Sequence, residues 1–313
     1  NITMENTRAK TTRNSLILLL TATIWGMAFV SQSKGMDYMH PFTFNGVRSL
    51  IGAAGILVYI LISRKIAGDK AAKLDWELNV KAGLLCGIFL TIASTLQQFG
   101  IKYTSVGKAG FITTLYIIFV PMFGIFLKKK VAPVVWAAAG MAAVGMYLLC
   151  MTESLRLGAG DIMVFLCAIA FAIQIMTVDH YAARIDGAVV SCIQFAVCGV
   201  VCCIGALIWG QPTFGQIQEG LGALLYAGVL SCGVGYTLQI VGQKGLNPTV
   251  AALIMSLESV IATISGWIAY KIGFLSTDQT LTSRQIAGCV IVFAAVILVQ
   301  LPPEWFRFGK KNA

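Results

Sequence analysis

Residues 16–30 read LILLLTATIWGMAFV, an apolar run in which threonine is the only polar residue type and alanine and glycine are the only small ones. Extended to residues 15–35, this run forms a helix long enough to cross the roughly 30 Å hydrocarbon core of a membrane. Tryptophan in a membrane helix usually marks the interface, whereas Trp25 lies near the middle of this run. The stretch therefore predicts a membrane-spanning helix with a polar-edged ring at its centre, next to Gly26.

Runs of the same kind recur along the whole chain. Apolar residues make up 58% of the 313 residues, charged residues make up 12%, and the mean hydropathy is +0.81, which excludes a soluble globular protein. No soluble domain fits in the connections between the runs. We predict an all-α integral membrane protein with ten transmembrane helices, at residues 15–35, 42–63, 79–101, 106–127, 133–151, 160–180, 188–209, 219–242, 248–270 and 284–302.

Positive charge is unevenly divided between the two sides of this arrangement. If the N-terminus is cytoplasmic, sixteen of the 23 Lys and Arg residues lie on the inner side, six lie on the outer side, and Arg48 falls within a span. This asymmetry follows the positive-inside rule with both termini in the cytoplasm. The net charge of +10 therefore indicates topology and contact with an anionic bilayer, and it does not indicate a nucleic-acid partner.

Residues that would support catalysis or hold a cofactor are scarce. All nine cysteines lie in apolar runs without metal-ligand spacing, so we interpret them as reduced packing residues. The sequence contains no GxxxxGK[ST] phosphate loop, no HExxH zinc motif and no GxSxG elbow. It therefore predicts no cofactor and no metal, and it argues against ATP-driven and hydrolytic activities.

The chain also repeats itself. A shift of 146 residues places the first two spans on the sixth and seventh, and a shift of 142 places the third and fourth spans on the eighth and ninth. Because each half contains five spans, an odd number, the second half must enter the membrane from the opposite side. Such an inverted repeat is typical of alternating-access transporters. The pairs it relates include Trp25 with Phe171, Arg48 with Gln194, Gln97 with Gln239, and Tyr116 with Glu258.

An ordered set of short motifs accompanies the repeat. They are Ile24-Trp25-Gly26 with Phe29, Pro41, Arg48, Tyr103-Thr104-Ser105, Pro121, Gly140, Gly160-Asp161, Leu257-Glu258 and Gln285-Ile286-Ala287-Gly288. In this order the motifs resemble the EamA family of the drug/metabolite transporter superfamily over about residues 14–302. The resemblance implies two inverted five-helix repeats, 14–151 and 158–302, around a central cavity. It also implies a bacterial inner-membrane location and movement of small metabolites, often outward.

Some local details depart from the family or need their own interpretation. Members often carry a glutamate just after the fourth and ninth spans, where this chain has Lys128-Lys129-Lys130 and Tyr270-Lys271. Pro121 is predicted to kink the fourth span, as proline does in a transmembrane helix. His40, at a span end, is predicted to be solvated.

Glu258 is the sharpest candidate for a functional residue, because it lies near the middle of the ninth span. A charge at the centre of a membrane costs roughly 2.5–3.5 kcal/mol. The carboxyl must therefore face a cavity, pair with a cation or stay protonated. We interpret it as a residue that binds a substrate ammonium or carries a proton in exchange. A structural hydrogen bond between helices is the alternative.

Trp25 and Arg48 each have two interpretations. Trp25 lines a cavity with its ring and its N–H, or it fills the gap that Gly26 leaves between packed helices. The cavity is favoured because an unpartnered indole N–H is costly within a membrane. Arg48 holds a substrate carboxylate or closes an outer gate, or its side chain snorkels to the outer headgroups.

Amides and tyrosines complete the predicted site. Amides hydrogen-bond neutral polar groups without carrying charge, although they also join helices to one another. Among them Gln97 and Gln239 are favoured because the repeat pairs them. The predicted substrate-binding residues are Trp25, Arg48, Gln97, Gln98, Tyr116, Gln174, Gln194, Tyr236, Gln239 and Glu258.

Aromatic rings, amides, one acid and one base together fit a zwitterion. We therefore predict a secondary transporter, an exporter of a small polar or amphipathic metabolite such as an amino acid, which works by alternating access. The alternative is efflux of cationic or aromatic drugs by proton exchange, with Glu258 as the counter-charge. A membrane receptor would leave the repeat unexplained, and a membrane enzyme would need a catalytic cluster, against which two histidines and a single mid-span carboxylate argue. The expected partners are the small-molecule substrate, the lipid bilayer and, for exchange, protons; a monomer and a homodimer both fit.

Overall fold

The computed structural model describes residues 2–68, 73–104, 106–128, 131–150, 158–275, 280 and 282–300. In these ranges the chain is helical and contains no β-strand. The helices are α1 (Ile2–Gly35), α2 (Pro41–Ala67), α3 (Trp76–Tyr103), α4 (Val106–Thr114), α5 (Tyr116–Phe126), α6 (Pro133–Cys150), α7 (Ala159–Tyr181), α8 (Gly187–Gly205), α9 (Phe214–Glu219), α10 (Leu221–Leu225), α11 (Tyr236–Gln243), α12 (Pro248–Met255), α13 (Glu258–Lys271) and α14 (Ser283–Gln300). The wider π-helical turn occurs at Ala206–Gly210, after α8, and at Tyr226–Gly235, between α10 and α11.

Eight helices in the described ranges are long and apolar enough to cross a membrane, by length and composition. They are Ala9–Gly35, Pro41–Ala67, Trp76–Tyr103, Ala109–Phe126, Ala159–Tyr181, Gly187–Gly210, Leu221–Gln243 and Pro248–Lys271. Two further apolar helices, Pro133–Leu148 and Ser283–Leu298, are shorter. The chain is therefore a multi-pass, all-α membrane protein. The predicted span ends at 151 and 302 lie outside the described residues.

In this bundle many large apolar side chains are exposed and many polar side chains are buried, the reverse of the distribution in a soluble protein. Large apolar side chains such as Leu20, Tyr59 and Val200 are more than half exposed, whereas the amides of Gln98 and Gln174 are fully buried. In water, an apolar surface of this kind would promote association. In a bilayer it contacts lipid, and the polar groups inside the bundle hydrogen-bond to one another.

Glycines let the helices approach closely. α2 packs along α8, and α6 packs along α14. A Cβ atom at Gly145 of α6 would lie 2.9 Å from the Gly288 carbonyl oxygen of α14, and one at Gly52 would lie 2.7 Å from the Cβ of Cys232. These notches allow backbone-to-backbone contact, and close van der Waals packing is the main source of helix association in lipid.

In the fourth and ninth predicted spans, the α-helical hydrogen-bond pattern is interrupted near the middle by one tight turn. α4 ends at Thr114 and α5 begins at Tyr116, whereas α12 ends at Met255 and α13 begins at Glu258. Tight turns, with hydrogen bonds to the residue three positions earlier, connect the half-helices. The backbone of the linking residues Leu115, Ser256 and Leu257 stays in the right-handed helical region, so the chain continues as one crossing helix over Ala109–Phe126 and over Pro248–Lys271.

The interruption of the fourth span does not lie at Pro121. Pro121 lies inside α5, while the turn is at Leu115, more than one helical turn earlier. Proline lacks the N–H that would bond to the carbonyl of Ile117. It therefore weakens the first turn of α5, next to the interruption, and does not itself end the helix.

α2 begins at Pro41 with His40 as its N-cap. The Nδ1 atom of His40 accepts a hydrogen bond from the Phe42 N–H at 3.3 Å, and the ring packs edge-on against Phe99. His40 is therefore half-buried, so it has a capping role in addition to the predicted contact with solvent. Burial and the positive charge of Lys102 lower the pKa of His40. This favours the neutral imidazole, which can accept the capping hydrogen bond and so fixes the start of the helix that carries Arg48.

Candidate functional site

A small cavity lies inside the bundle, beside the interruptions of the fourth and ninth spans. Its volume is about 30 Å3, which is room for about two water molecules. Charged, amide, hydroxyl and aromatic side chains surround it. The lining residues are Trp25, Phe29, Gln32, Arg48, Gln97, Thr113, Tyr116, Phe171, Gln174, Ile175, Ser231, Tyr236, Gln239 and Glu258.

Glu258 is the first residue of α13 and is 4% exposed. Its Oε1 atom accepts a hydrogen bond from the Tyr116 hydroxyl at 3.0 Å, and Tyr116 is the first residue of α5. Tyr116 and Glu258, which the repeat pairs, therefore meet where α5 and α13 begin. One neutral hydroxyl provides a single hydrogen bond, so an ionised Glu258 would retain acceptor sites that face the cavity.

Arg48 is turned into the bundle, where it is 4% exposed and lines the cavity. Its Nε atom donates a hydrogen bond to Asn45 Oδ1 at 2.9 Å, and its guanidinium lies 5.6 Å from the centre of the Phe44 ring. This position does not fit a side chain that snorkels to the headgroups. A guanidinium has five N–H donors, so most of its hydrogen-bonding capacity is available to a ligand in the cavity.

The acid and the base are not paired with each other. Neither Arg48 nor Glu258 forms an ion pair with any other residue in the described part of the chain. Tyr236 lies close enough to both of them to interact electrostatically with each. The cavity therefore contains a buried cation and a buried acid, each without a counter-charge from the described residues.

Trp25 combines both of its predicted interpretations. Its ring lines the cavity and packs against Tyr236 with the ring centres 4.5 Å apart. Its Nε1 atom is buried and has no hydrogen-bond partner among the described residues. A Cβ atom at Gly235 would lie 2.7 Å from this Nε1. Trp25 thus fills a tightly packed position and still presents an unused donor beside the cavity.

The neighbouring Gly26 serves packing. A Cβ atom at this position would lie 2.7 Å from the carbonyl oxygen of Glu258 and would collide with the side chain of Ile261. The absence of a side chain lets α1 contact the first turn of α13. Trp25 directly precedes Gly26 in α1. Gly26 therefore sets the distance between the Trp25 ring and Glu258.

Three of the predicted glutamines form one cluster. Gln174 and Gln239 bond to each other in both directions, at 3.4 and 3.1 Å, and Gln174 also donates to Gln194 at 3.5 Å. Gln174 and Gln239 line the cavity, and Gln194 lies behind Gln174 without lining it. These contacts between α7, α8 and α11 join helices as well as placing amides at the cavity wall.

Gln97 and Gln98 point in different directions from α3. Gln97 lines the cavity and donates to the Thr113 hydroxyl at 3.3 Å. Gln98 does not line it and instead donates to the backbone carbonyl of Gln32 at 3.2 Å. Adjacent helical residues lie about 100° apart, so only one of the two can face the cavity.

Several lining residues were not predicted. Phe171 had a signal in the sequence, because the repeat relates it to Trp25, the central aromatic of the first half. Thr113 and Ser231 had none, since a hydroxyl in a membrane helix usually bonds to its own backbone. Gln32 lies close to the end of the first apolar run, where an amide is ordinary.

Comparison with known proteins agrees with this architecture. The model of the EamA-like transporter family matches residues 13–151 and 158–301. An uncharacterized transporter of Archaeoglobus fulgidus is 28% identical over 91% of this chain and 84% of its own length. The uncharacterized transporter YwfM of Bacillus subtilis is 24% identical over 93% of this chain and 94% of its own. One protein crystal structure superposes with a TM-score of 0.73 at 16% identity, covers 95% of this chain and 99% of that chain, and thus shares the fold.

Proposed function

We propose, from the premise that the chain belongs to the EamA-like transporter family, that it is a secondary transporter that exports a small zwitterionic metabolite such as an amino acid. The family and the names of the relatives indicate a transporter and no enzymatic activity. The substrate, the direction and the mechanism are our proposal. They rest on the chemistry of the central cavity.

The observation that carries the proposal is the pair of buried, opposite and unpaired groups, Arg48 and Glu258. A buried charge without a partner is strongly unfavourable, by several kcal/mol. An amino acid carries one carboxylate and one ammonium, so it would supply both missing counter-charges. Arg48 would bind the carboxylate, and Glu258, supported by Tyr116, would bind the ammonium. The amides of Gln97 and the Gln174 cluster would bind neutral polar groups, and the aromatic rings would pack against the side chain.

Alternating access between two inverted five-helix halves, 14–151 and 158–302, is the proposed mechanism. The tight turns at Leu115 and Leu257 support it, because the shift of 142 residues relates them and the residues that follow them, Tyr116 and Glu258, both line the cavity. The side-by-side packing of α2 with α8, and of α6 with α14, is what a pseudo-twofold axis between the halves would produce. A cavity of about 30 Å3 is too small for an amino acid. The halves must therefore move apart to admit the substrate, which is the motion that this mechanism requires.

Efflux of cationic or aromatic drugs by proton exchange is the second candidate. The rings of Trp25, Phe171 and Tyr236 and the acid Glu258 favour it, since they could bind an aromatic cation. Arg48 opposes it, because a buried guanidinium in the same cavity repels a cation. The two candidates therefore differ in whether the solute needs a carboxylate.

A counterflow experiment tests the proposed function. Proteoliposomes loaded with an excess of unlabelled amino acids are placed in trace amounts of one labelled amino acid, its decarboxylated amine or its deaminated acid. We expect saturable accumulation of the amino acid and little of either analogue, relative to protein-free liposomes. Accumulation of the amine alone would support the drug candidate. Failure of a broad panel of zwitterions and organic cations to exchange would overturn both.

We also propose that the protein lies in the bacterial inner membrane with both termini in the cytoplasm, from the sixteen-to-six division of Lys and Arg. A single cysteine placed at Ala313 of a cysteine-free variant should resist impermeant thiol reagents in intact cells. One placed at Gln211, between the seventh and eighth spans, should react. The reverse labelling pattern would contradict the orientation, and cell lysis, which should expose both sites, controls for reactivity.

A further inference from the structure

A second, larger pocket lies at the end of the bundle where α3 and α8 begin. Its volume is about 550 Å3, and it shares no residue with the central cavity. It is bounded by the last turns of α2 and α11, the first turns of α3 and α8, and the α7–α8 turn. We call it the basic pocket; its polar and charged lining residues are Tyr59, Ser63, Arg64, Lys73, Asp75, Asn79, Arg184, Asp186, Thr237 and Lys244.

Four basic side chains converge on this pocket, and two of them are held by the fold. The Nζ atom of Lys244 donates to the Ile185 carbonyl at 3.3 Å, and the guanidinium of Arg184 lies 5.9 Å from the centre of the Tyr181 ring. Asn14 of α1 donates a hydrogen bond to the backbone carbonyl of Lys244 at 2.7 Å, so both the backbone and the side chain of Lys244 are held in place. In the described part of the chain, Lys73, Lys244 and Arg184 form no ion pair with a carboxylate.

Both carboxylates of the pocket accept hydrogen bonds from backbone N–H groups. Asp75 accepts the Leu78 N–H at 3.0 Å, and Asp186 accepts the N–H groups of Ala188 and Val189 at 2.9 and 3.1 Å. Both thus serve as N-caps for the helices that follow them. Lys73, Arg184 and Lys244 outnumber these two carboxylates, which gives this part of the pocket a positive potential that attracts anions.

One wall of the pocket carries an exposed tyrosine and apolar side chains. Tyr59, near the end of α2, is 61% exposed, and the apolar side chains of Ile60 and Val241 also line the pocket. A basic pocket between helix ends, open toward lipid on one side, has the combination of features that binds anionic headgroups. Tyrosine with an apolar body and a polar tip suits this boundary.

We propose that the basic pocket binds the phosphate group of an anionic ligand, either a phospholipid headgroup or a soluble phosphate ester. Arg184 and Lys73 approach from the rim, and Lys244 lies beside the turn that joins α7 to α8. The bound phosphate would join the ends of α3, α8 and α11, which belong to both halves of the bundle. This site does not depend on the proposed substrate, because no residue of the central cavity takes part in it.

The test compares two double variants of the full chain in detergent. Lys73→Gln with Arg184→Gln removes two charges from the pocket, whereas Lys65→Gln with Lys81→Gln removes two exposed charges at the same end of the bundle but outside it. The shift in thermal unfolding is titrated with dioleoyl phosphatidylglycerol and, separately, with glycerol 3-phosphate. A ligand that binds only the folded state raises the melting temperature by mass action. Equal melting temperatures of the variants without ligand show that both fold.

We expect the wild type and the control variant to bind phosphatidylglycerol alike, and the pocket variant to bind about 25-fold more weakly, from about fivefold per basic residue. Stabilisation by the lipid alone assigns the pocket to a headgroup, and stabilisation by glycerol 3-phosphate as well assigns it to a soluble ester. If the pocket variant is unstable without ligand, Arg184→Gln alone should show about a fivefold loss. Equal responses of the pocket and control variants, or no response of the wild type to either compound, would overturn the proposal.

Discussion

Glu258→Gln should fold as the wild type does, yet lose the pH dependence of transport and most of its preference for solutes that carry an ammonium group. Glutamine has nearly the volume of glutamate, and its carbonyl oxygen can still accept the Tyr116 hydroxyl bond that spans 3.0 Å. It cannot ionise, so it provides no counter-charge. A hydrogen bond to a charged group contributes about 1.5–3 kcal/mol, which corresponds to a loss of about 10- to 100-fold in affinity for amine-bearing solutes.

The measurement is counterflow of an amino acid and of its deaminated acid across a pH series, in wild type and variant. Glu77→Gln is the matched control, because Glu77 is an exposed glutamate at the start of α3. Loss of amino-acid affinity in Glu258→Gln but not in the control supports a role in ammonium binding. Unchanged affinity and an unchanged pH profile would make Glu258 a structural hydrogen-bonding residue.

Arg48→Gln should reduce affinity for carboxylate-bearing solutes by about 10- to 100-fold, and Arg48→Lys should restore only part of it. The guanidinium offers parallel N–H donors that match a carboxylate, whereas an ammonium offers a point charge. The measured quantity is the concentration of amino acid that gives half-maximal counterflow, with the decarboxylated amine as a comparison solute that should be unaffected.

Arg284→Gln provides the control for Arg48, because Arg284 is an exposed arginine at the start of α14. Equal affinity of the wild type and Arg48→Gln for every carboxylated solute would contradict the binding role. If Arg48 instead closes a gate, the variant should keep its affinity and leak solute down a gradient without exchange. The two roles therefore give different results in the same vesicles.

The membrane helices could be predicted from the apolar runs alone, because a bilayer sets both the length and the composition of a crossing segment. The interruptions could not. Leu115 and Leu257 are ordinary apolar helix residues, and a single tight turn that keeps a right-handed helical backbone leaves no mark in hydropathy. The structure caps three of these helices at Asp75, Asp186 and Asn247, residue types that commonly begin helices, although the span limits were predicted from hydropathy alone.

The central site was partly predictable for a similar reason. Charged residues such as Arg48 and Glu258 are costly inside a membrane, so their presence in a span points to a cavity. Amides are less costly, and sequence does not separate Gln97, at the cavity, from Gln98, which bonds to the Gln32 backbone. The basic pocket was not predicted, because it forms between helix ends that are distant in the sequence.

The notch at Gly26 has a consequence for how this protein can change by mutation. Any side chain at residue 26 would overlap the carbonyl oxygen of Glu258, more than 230 residues away in the sequence. Overpacking of this kind costs about 1–3 kcal/mol, and it would push back the very turn that presents the carboxyl. Gly26 has no side chain that could take part in binding, yet it restricts which variants can keep an acid in place at position 258. The two positions are therefore sterically coupled, and a variant with a side chain at position 26 must also shift the backbone that places the Glu258 carboxyl beside the central cavity.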